Sequence, residues 1–332
     1  MPAESFPTVS VIVPCLNESK RIRLLLDAIA AQTYPLEKLD ITIADGGSTD
    51  NTREVVTYFA SSNPLLQIKI IENPSVTIPS ALNRAIQSST GEVILRLDAH
   101  SAPMPDYITL SVEALVQGKG DNVGGIWIIK QSKSDWISRA ISVAAANPIG
   151  VGNARYRYTD HAGYVDTVPF GCFYRRLIDR IGMFDETLLT NEDYEFNTRV
   201  RNAGGKIWLD PAIQCVYYSR DSLTKLIKQY YRYGFWKYKM LKRYPKTILW
   251  RQALPPLFLL SLIFGSLISL VYAPFFIMVE LELLVYLLCI VAAGIYEAVR
   301  KKDAALITGF PLAVVSMHFS WGAGFLVSIF LK

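Results

Sequence analysis

The amino-acid sequence predicts an α/β domain with a mostly parallel, doubly wound sheet, followed by helices that cross a membrane. In the first 130 residues, short apolar and β-branched runs alternate with amphipathic helical patterns. Charged residues are distributed as in a soluble domain up to about residue 252, and long apolar segments follow. A chain of 332 residues has room for one such domain and an appendage.

The strands and helices are predicted in strict alternation. Strands are expected at Thr8–Pro14, Leu39–Asp45, Gln67–Glu72, Glu92–Asp98 and Asn122–Lys130. Helices are expected at Ser19–Gln32, Asn51–Ala60, Pro79–Ser88 and Pro105–Gln117. Asn51 and Glu54 have the spacing of a capping box at the start of the second helix.

Polar segments follow three of the predicted strands, at Pro14–Glu18, Asp45–Gly47 and Asp98–His100. In a doubly wound sheet, ligands bind beyond the carboxyl ends of the strands, so these segments are predicted to line one nucleotide cleft. The dinucleotide fingerprint G-x-G-x-x-G does not follow the first strand, which argues against a nicotinamide cofactor.

Two acidic clusters, Arg96–His100 and Asn191–Tyr194, lie about one hundred residues apart. A metal held by a carboxylate and an imidazole can stabilise a departing diphosphate. A second carboxylate can take the proton from an attacking hydroxyl. Together these groups indicate transfer of a sugar from a nucleotide diphosphate.

Four motifs occur in order: VSVIVPCLNES (9–19), ADGGSTDNT (44–52), ALNRAIQSSTGEVILRLDAH (81–100) and NEDYEFNTRVRNAGGKIWLDP (191–211). On these motifs the chain resembles the inverting family 2 glycosyltransferases of the GT-A fold. Within them it looks most like the membrane-bound enzymes of exopolysaccharide assembly, of the succinoglycan-glucosyltransferase type. The resemblance runs from Val9 to about Tyr244 and continues weakly through the apolar segments. It implies a Rossmann-like catalytic domain and hexosyltransferase activity.

The resemblance also assigns residues to the nucleotide-sugar site. Pro14, Asn17 and Glu18 would line the nucleoside pocket, and Asp45 would accept hydrogen bonds from uracil or ribose. Asn83 matches a helix residue before the metal strand, and Gly171 matches a loop that contacts the acceptor and the donor sugar. The alternatives are a simple turn at Asp45 and an ordinary exposed amide at Asn83.

Asp98-x-His100 matches the family's Asp-x-Asp metal motif with one departure, because the second acid is a histidine. Imidazole suits manganese as well as carboxylate does, whereas magnesium prefers oxygen ligands. The resemblance therefore implies a divalent cation on Asp98 and His100, with Mn²⁺ favoured over Mg²⁺, and places Asp98 against the donor. The alternative for His100 is a polar loop residue.

Asp193 matches the catalytic base of the family, with Glu192 beside it. The alternative is that both acids only favour the first turn of a helix over 192–203 through its dipole. One base is sufficient, because a metal-bound nucleoside diphosphate leaves without protonation, unlike the leaving group in glycoside hydrolysis. A single in-line displacement inverts the anomeric centre.

Three apolar segments, Ala253–Ala273, Phe275–Val299 and Ala304–Leu331, are predicted to be membrane spans. The middle one is the weakest because it contains three glutamates, and the alternative for all three is buried core helices. Basic residues before the first span and at Arg300–Lys302 predict a multi-pass protein of the cell membrane with a cytoplasmic catalytic domain and Lys332 on the far side. Met1–Ser5 has no basic region, so no signal peptide is expected.

The segment Asp221–Arg251 contains nine basic residues and one acid, a net charge of +8, interleaved with aromatic side chains. Directly before a span, this composition predicts an interfacial helix on anionic lipid headgroups. Nucleic-acid binding has a similar composition, but the adjoining spans argue against it. The predicted domains are therefore 1–220, 221–251 and 252–332, and a chain ending near Tyr218 is expected to be soluble.

Within that segment, Gln229-Tyr230-Tyr231-Arg232-Tyr233 is close to the Gln-x-x-Arg-Trp motif of processive polysaccharide synthases, with tyrosine in place of tryptophan. The resemblance implies Arg232 as a partner of the donor diphosphate and Gln229 as an acceptor-side residue. The alternative is that Arg232 is another headgroup contact.

These observations and the resemblance predict transfer of a hexose, with inversion, from a UDP-linked nucleotide sugar to a polyprenyl-diphosphate-linked acceptor in exopolysaccharide or cell-surface glycan assembly. Two enzymatic alternatives are a processive synthase, for which more spans are expected, and transfer to polyprenyl phosphate itself. A catalytically inactive membrane scaffold would predict loss of Asp98, His100 and Asp193, which are all present.

Overall fold

The structure is a computed structural model that describes residues 6–247 and 249–331. The expectations about Met1–Ser5 and Lys332 lie outside the described residues. The chain forms two compact units. The first contains the described part of Met1–Ile128 and Tyr158–Tyr217, and the second contains Ile129–Arg157 and the described part of Tyr218–Lys332. The segment Ile129–Arg157, which the sequence places in the catalytic domain, therefore groups with the apolar helices.

Nine strands occur in the described residues and belong to one sheet. They are β1 (Val9–Cys15), β2 (Leu39–Asp45), β3 (Gln67–Glu72), β4 (Val93–Arg96), β5 (Ala102–Pro103), β6 (Asn122–Lys130), β7 (Gly163–Tyr164), β8 (Cys172–Tyr174) and β9 (Ile207–Tyr218). Their order is β3-β2-β1-β4-β8-β6-β9-β5, and β7 pairs with β9.

The twelve α-helices of the described residues come in chain order between and after these strands. They are α1 (Ile22–Ala30), α2 (Thr52–Ser62), α3 (Ile78–Ser88), α4 (Tyr107–Val116), α5 (Trp136–Ala145), α6 (Pro148–Val151), α7 (Arg176–Ile181), α8 (Glu192–Asn202), α9 (Leu223–Arg243), α10 (Trp250–Ser269), α11 (Pro274–Lys301) and α12 (Leu306–Phe330).

The first four strands of the sheet order are parallel, as predicted. Their apolar side chains, such as Val11, Ile41 and Leu95, are fully buried, which is typical of parallel strands covered on both faces. Beyond β4 the pairing changes, because β8 runs antiparallel to both β4 and β6. The α/β fold is thus confirmed, but Asn122–Lys130 joins it in an antiparallel arrangement.

The strand register places the predicted site loops at one edge of the sheet. Cys15 pairs with Asp45 across β1 and β2, and Ile12 pairs with Arg96 across β1 and β4. The loops that leave β1, β2 and β4 at their carboxyl ends therefore begin side by side, as expected for a ligand-binding edge.

Helix α2 does not begin with the predicted capping box, because Asn51 makes no side-chain capping hydrogen bond. The carboxylate of Asp50 accepts from the backbone N–H of Thr52 at 3.1 Å instead. It also accepts from the backbone N–H of Ser19 at 3.1 Å. This acid therefore joins the start of α2 to the loop after β1.

In the second unit, α12 packs against α5, α9, α10 and α11. The backbones of α9 and α12 are in direct contact: a Cβ atom on Gly324 would lie 2.1 Å from the carbonyl oxygen of Tyr231. Small residues of this kind let helices approach closely in membranes. Three described helices, α10, α11 and α12, are long and apolar enough to cross a membrane.

The basic segment 221–251 was predicted to form one interfacial helix, but it is divided between two helices. Helix α9 ends at Arg243, and α10 begins at Trp250. One face of α9 is buried against apolar helices through Leu226 and Tyr230, while Lys225, Lys228, Arg232, Lys242 and Arg243 are exposed. Only the exposed face is available to lipid headgroups.

Candidate active site

The loops after β1 and β2 are joined by hydrogen bonds between backbone N–H groups and side-chain oxygens. Asn17 has a left-handed backbone, with φ of 53°. Its N–H donates to Oγ of Ser48 at 2.8 Å, and its Oδ1 accepts from the N–H of Thr49 at 2.8 Å. Because these bonds fix both loops, Asn17 and Asp45 belong to one preformed surface that begins at Pro14, near the end of β1.

Asp45 is 1 % exposed, and its carboxylate already has two partners. Oδ2 accepts from Nε of Arg53 at 2.6 Å and from the N–H of Ser48 at 3.1 Å. Although burial opposes ionisation, the hydrogen bonds from Ser48 and Arg53 hold the pKa of Asp45 below its ordinary value. The carboxylate is therefore fixed and charged, and its bonds to Ser48 and Arg53 hold the loop after β2; its predicted contact with a nucleoside stays a prediction.

Arg96, near the centre of the sheet, connects the two acidic clusters. Its side chain is 3 % exposed. Nη2 lies 3.0 Å from Oδ1 of Asp98 and 2.9 Å from Oε1 of Glu192. Nη1 donates to Oδ1 of Asp193. One guanidinium thus holds three carboxylates, whose combined charge exceeds its own.

The sequence interpretation did not identify Arg96 as a functional residue. A signal was available, because the motif EVILRLD is apolar except for its ends and this arginine. An arginine in a central strand is buried, and a buried charge needs charged or hydrogen-bonding partners. Acidic side chains could therefore have been predicted to surround Arg96.

Glu192 and Asp193 lie in the first turn of α8, as predicted. The helix is entered through Asn191, which has a left-handed backbone with φ of 67° and makes no side-chain capping bond. Burial, together with the nearby charges of Glu192 and Asp98, raises the pKa of Asp193 to about 7 against the opposing effect of Arg96. The Asp193 side chain is 27 % exposed, so a substrate can reach it.

His100 lies in the turn after β4 and contacts the loop after β1. Its Nδ1 is 3.0 Å from Oε1 of Glu18, and both side chains are 24 % exposed. The sequence predicted a nucleoside contact for Glu18, whereas its carboxylate here faces the imidazole.

The turn after β4 offers donor atoms for a divalent cation. In residues 6–247 and 249–331, no group of three or more His, Cys, Asp or Glu side chains is close enough to hold a metal ion. Asp98 and His100 supply one carboxylate oxygen and one imidazole nitrogen, which are ligands of the right chemistry for Mn²⁺. They fit a cation that takes its remaining ligands from a diphosphate and from water.

Asn83 makes buried contacts that were not predicted. Its amide is buried, donates to the carbonyl of Phe184 at 2.9 Å and to Oε1 of Glu186 at 2.8 Å, and accepts from the N–H of Phe184 at 2.9 Å. These three bonds hold the segment before α8. The predicted contact of Asn83 with the donor stays a prediction.

Gly171 lies directly before β8, where its carbonyl accepts from the N–H of Arg96 at 3.1 Å. A Cβ atom there would lie 2.3 Å from Oδ1 of Asn122, so a larger residue would displace that amide. Gln229 and Arg232 lie on α9, in the second unit, and Gln229 donates to the hydroxyl of Tyr233 at 2.9 Å. The predicted contacts of these three residues with a nucleotide sugar stay predictions.

Comparison with known proteins agrees with this arrangement. Residues 10–182 match the family described as Glycosyl transferase family 2. The chain is 28 % identical over 320 residues to the succinoglycan biosynthesis protein ExoA of Rhizobium meliloti, covering 95 % of this chain and 93 % of that protein. It is 30 % identical over 271 residues to the dolichyl N-acetyl-alpha-D-glucosaminyl phosphate 3-beta-D-2,3-diacetamido-2,3-dideoxy-beta-D-glucuronosyltransferase of Methanococcus voltae, covering 80 % of this chain and 84 % of that one.

A solved structure also resembles the chain over nearly its whole length. It is a mannosyltransferase from Pyrobaculum calidifontis, determined in complex with GDP-Man and Mn²⁺. The two share 22 % sequence identity with a TM-score of 0.63, over 99 % of this chain and 89 % of that chain. This likeness confirms the predicted GT-A fold. The chain therefore belongs to glycosyl transferase family 2 and is a glycosyltransferase.

Proposed function

We propose that the chain moves a hexose from a nucleotide sugar to a saccharide carried on a membrane lipid, with inversion at the anomeric carbon. The observation that carries this proposal is the buried guanidinium of Arg96, which joins the acid proposed for the donor side, Asp98, to the proposed base, Asp193. A donor and an acceptor held by these two acids would meet within one site.

Asp193 acts in this proposal as the general base that removes the proton from the acceptor hydroxyl. A base works best when its pKa lies near the pH of operation, and the raised pKa of Asp193, about 7, satisfies that condition. Arg96 binds both acids, but the Glu192 side chain is only 10 % exposed, against 27 % for Asp193, so Asp193 is the more accessible base. We assign Glu192 to the positioning of Arg96.

On the donor side, Pro14, Asn17 and Asp45 are proposed to hold the nucleoside. The carboxylate of Asp45, fixed by Ser48 and Arg53, would accept from a base N–H or a ribose hydroxyl at this loop. We favour a UDP sugar, as the family resemblance implies. GDP sugars are the alternative, because the mannosyltransferase with the same fold binds GDP-Man.

Asp98 and His100 would hold the divalent cation that a family 2 enzyme of this fold uses. Such a cation neutralises charge on the diphosphate that leaves. The imidazole ligand favours Mn²⁺ over Mg²⁺, and the mannosyltransferase structure contains Mn²⁺.

The acceptor is proposed to be a lipid-linked saccharide. The Methanococcus voltae relative is named for transfer to a dolichyl-linked sugar phosphate, and the Rhizobium meliloti relative for succinoglycan biosynthesis. Within the described residues, three helices are long and apolar enough to cross a membrane. We propose a multi-pass protein of the cell membrane whose first unit faces the cytoplasm, with a polyprenyl diphosphate as the lipid carrier and anionic lipids against the exposed face of α9.

One observation favours a second candidate, a processive polysaccharide synthase. The run Gln229–Tyr233 is close to the Gln-x-x-Arg-Trp motif of such enzymes. The two functions differ in product, because a processive enzyme makes a polymer and a single-addition enzyme lengthens its acceptor by one residue.

The test is a panel of radiolabelled UDP and GDP sugars given to membranes that contain the chain, followed by extraction of the lipid fraction. We expect one sugar added per lipid-linked acceptor, from one donor of the panel. Label in a long polymer would support the synthase, and label in neither fraction with any donor would contradict both.

A further inference from the structure

We propose that Glu18 is a positioning residue that acts through His100: it accepts the Nδ1 proton of the imidazole and so presents Nε2 to the divalent cation. This inference rests on the proposed function, since it concerns the cation of the nucleotide-sugar site. It replaces the nucleoside contact that the sequence predicted for Glu18.

The contact between these two residues joins loops that are distant in sequence. Glu18 follows β1 and His100 follows β4, 82 positions later, and Oε1 of Glu18 is 3.0 Å from Nδ1 of His100. A carboxylate only accepts hydrogen bonds, so Nδ1 carries the proton in this contact. The lone pair of the neutral ring is then on Nε2, the nitrogen that remains for a metal.

The backbone around Glu18 holds its side chain in this place. The N–H of Glu18 donates to Oγ1 of Thr52 at 2.8 Å. Its carbonyl accepts from the N–H groups of Arg21 at 2.9 Å and Ile22 at 2.8 Å. The residue is therefore fixed at the start of α1 and at the start of α2 together, and only its carboxylate is directed at the imidazole.

This arrangement explains how a histidine serves where the family motif has an aspartate. A carboxylate can bind a cation through either oxygen, but an imidazole binds only through the nitrogen that lacks the proton. Histidine ligands therefore usually donate the other N–H to a carboxylate, and loss of that partner weakens metal affinity by about 10–100-fold. Glu18 occupies the partner's position.

Two other roles for Glu18 make different predictions. A direct ligand of the cation would lose its contribution independently of His100. A nucleoside contact would affect nucleotide binding without any cation. Measurement of cation and nucleotide affinities separates the three roles.

The experiment uses the full chain in detergent and measures free Mn²⁺ by electron paramagnetic resonance at one fixed pH. UDP or GDP is present at saturation, whichever the unaltered chain binds more tightly. The variants are Glu18→Ala, Glu18→Gln, His100→Ala and the double variant of Glu18→Ala with His100→Ala. Glu37→Ala is the matched control, because Glu37 is an exposed acid before β2, at the opposite edge of the sheet.

We expect Glu18→Ala to weaken Mn²⁺ binding by about 10-fold or more. Glu18→Gln should lose less, because its amide oxygen still accepts the Nδ1 proton. In the double variant the loss should equal that of His100→Ala alone, since Glu18 acts through the ring. Nucleotide affinity in excess chelator and Mn²⁺ binding by Glu37→Ala should both stay unchanged.

Additive losses in the double variant would make Glu18 a direct ligand and overturn the inference. Weaker nucleotide binding in chelator would return Glu18 to the nucleoside pocket and overturn it as well. Unchanged Mn²⁺ affinity in both Glu18 variants, with normal binding by the unaltered chain, would refute the inference but leave the proposed function standing. If the unaltered chain binds no Mn²⁺ with either nucleotide, the cation proposed for this enzyme fails and the inference fails with it.

Discussion

Arg96 donates a hydrogen bond to Asp193 although 97 positions separate them in the sequence. The same guanidinium lies 3.0 Å from Asp98. Because the Arg96 side chain is almost completely buried, it has little freedom to move away from Asp98 or Asp193. The position of the proposed base, Asp193, is therefore coupled to the position of Asp98, the acid proposed to face the donor.

Replacement of Arg96 by lysine should reduce transfer by about 100-fold or more, because a single ammonium cannot hold three carboxylates in the fork geometry of arginine. The measurement is kcat for transfer alongside thermal stability. Arg175→Lys is the matched control, since Arg175 donates to the carbonyls of Gly91 at 2.7 Å and Ile86 at 2.9 Å, away from these acids. A similar loss in both variants would show that Arg96 matters only for folding.

The rate of transfer should fall as pH decreases through about 7, because the raised pKa of Asp193 lies there and the protonated acid cannot act as a base. The measurement is a pH profile of kcat with saturating donor. His100→Asp is the control, because it replaces the imidazole of the proposed cation site with a carboxylate and leaves Asp193 in place. If the profile of this variant becomes flat between pH 6 and 8, the step does not belong to Asp193.

Asp193→Asn should raise the thermal midpoint at pH 8 by roughly 2 °C or more. The folded-state pKa of Asp193 is raised from 3.8 to about 7, so the folded chain loses stability as pH rises from about 4 through 7 and the carboxylate becomes charged. The amide avoids this cost. The gain should therefore shrink as pH falls toward 4, and a gain that is independent of pH would contradict the assignment of this pKa.

The structure alters the expectation for a chain that ends at Tyr218. In the second unit, α5 packs against α12: a Cβ atom on Gly309 would lie 2.6 Å from that of Ala140. Ile141 and Ala144 are buried in the same cluster as Phe310. Removal of α12 exposes this apolar face, so the shortened chain should aggregate. Gel filtration of the shortened chain, with and without detergent, is the measurement, and a soluble monomer without detergent would restore the original expectation.

The parallel half of the fold could be predicted from the sequence in detail. The strands Leu39–Asp45 and Gln67–Glu72 have the predicted bounds, because apolar runs there end at polar residues. The strand predicted to reach Asp98 ends at Arg96. The backbone turns there, and the N–H of Ser101 donates back to the carbonyl of Asp98 at 2.9 Å.

The site was predicted less completely, because its contacts are distant in sequence. The family motifs placed Asp98, His100 and Asp193 in one active site. They did not show that Arg96 binds both acids, since a charged residue in a strand is usually taken for a surface position. Nor could they show that Asn83 binds Phe184, 101 positions away.

The most direct test of the central claim is transfer by Asp193→Asn, measured beside its affinity for the donor nucleotide. Asp121→Asn is the control, because Asp121 is an acid of the first unit paired with Arg180 at 3.0 Å. We expect Asp193→Asn to lower the transfer rate by at least about 100-fold and to change nucleotide affinity only a few-fold, while Asp121→Asn keeps its activity. Transfer by Asp193→Asn above about a tenth of the unaltered rate would contradict the role of Asp193 as the base.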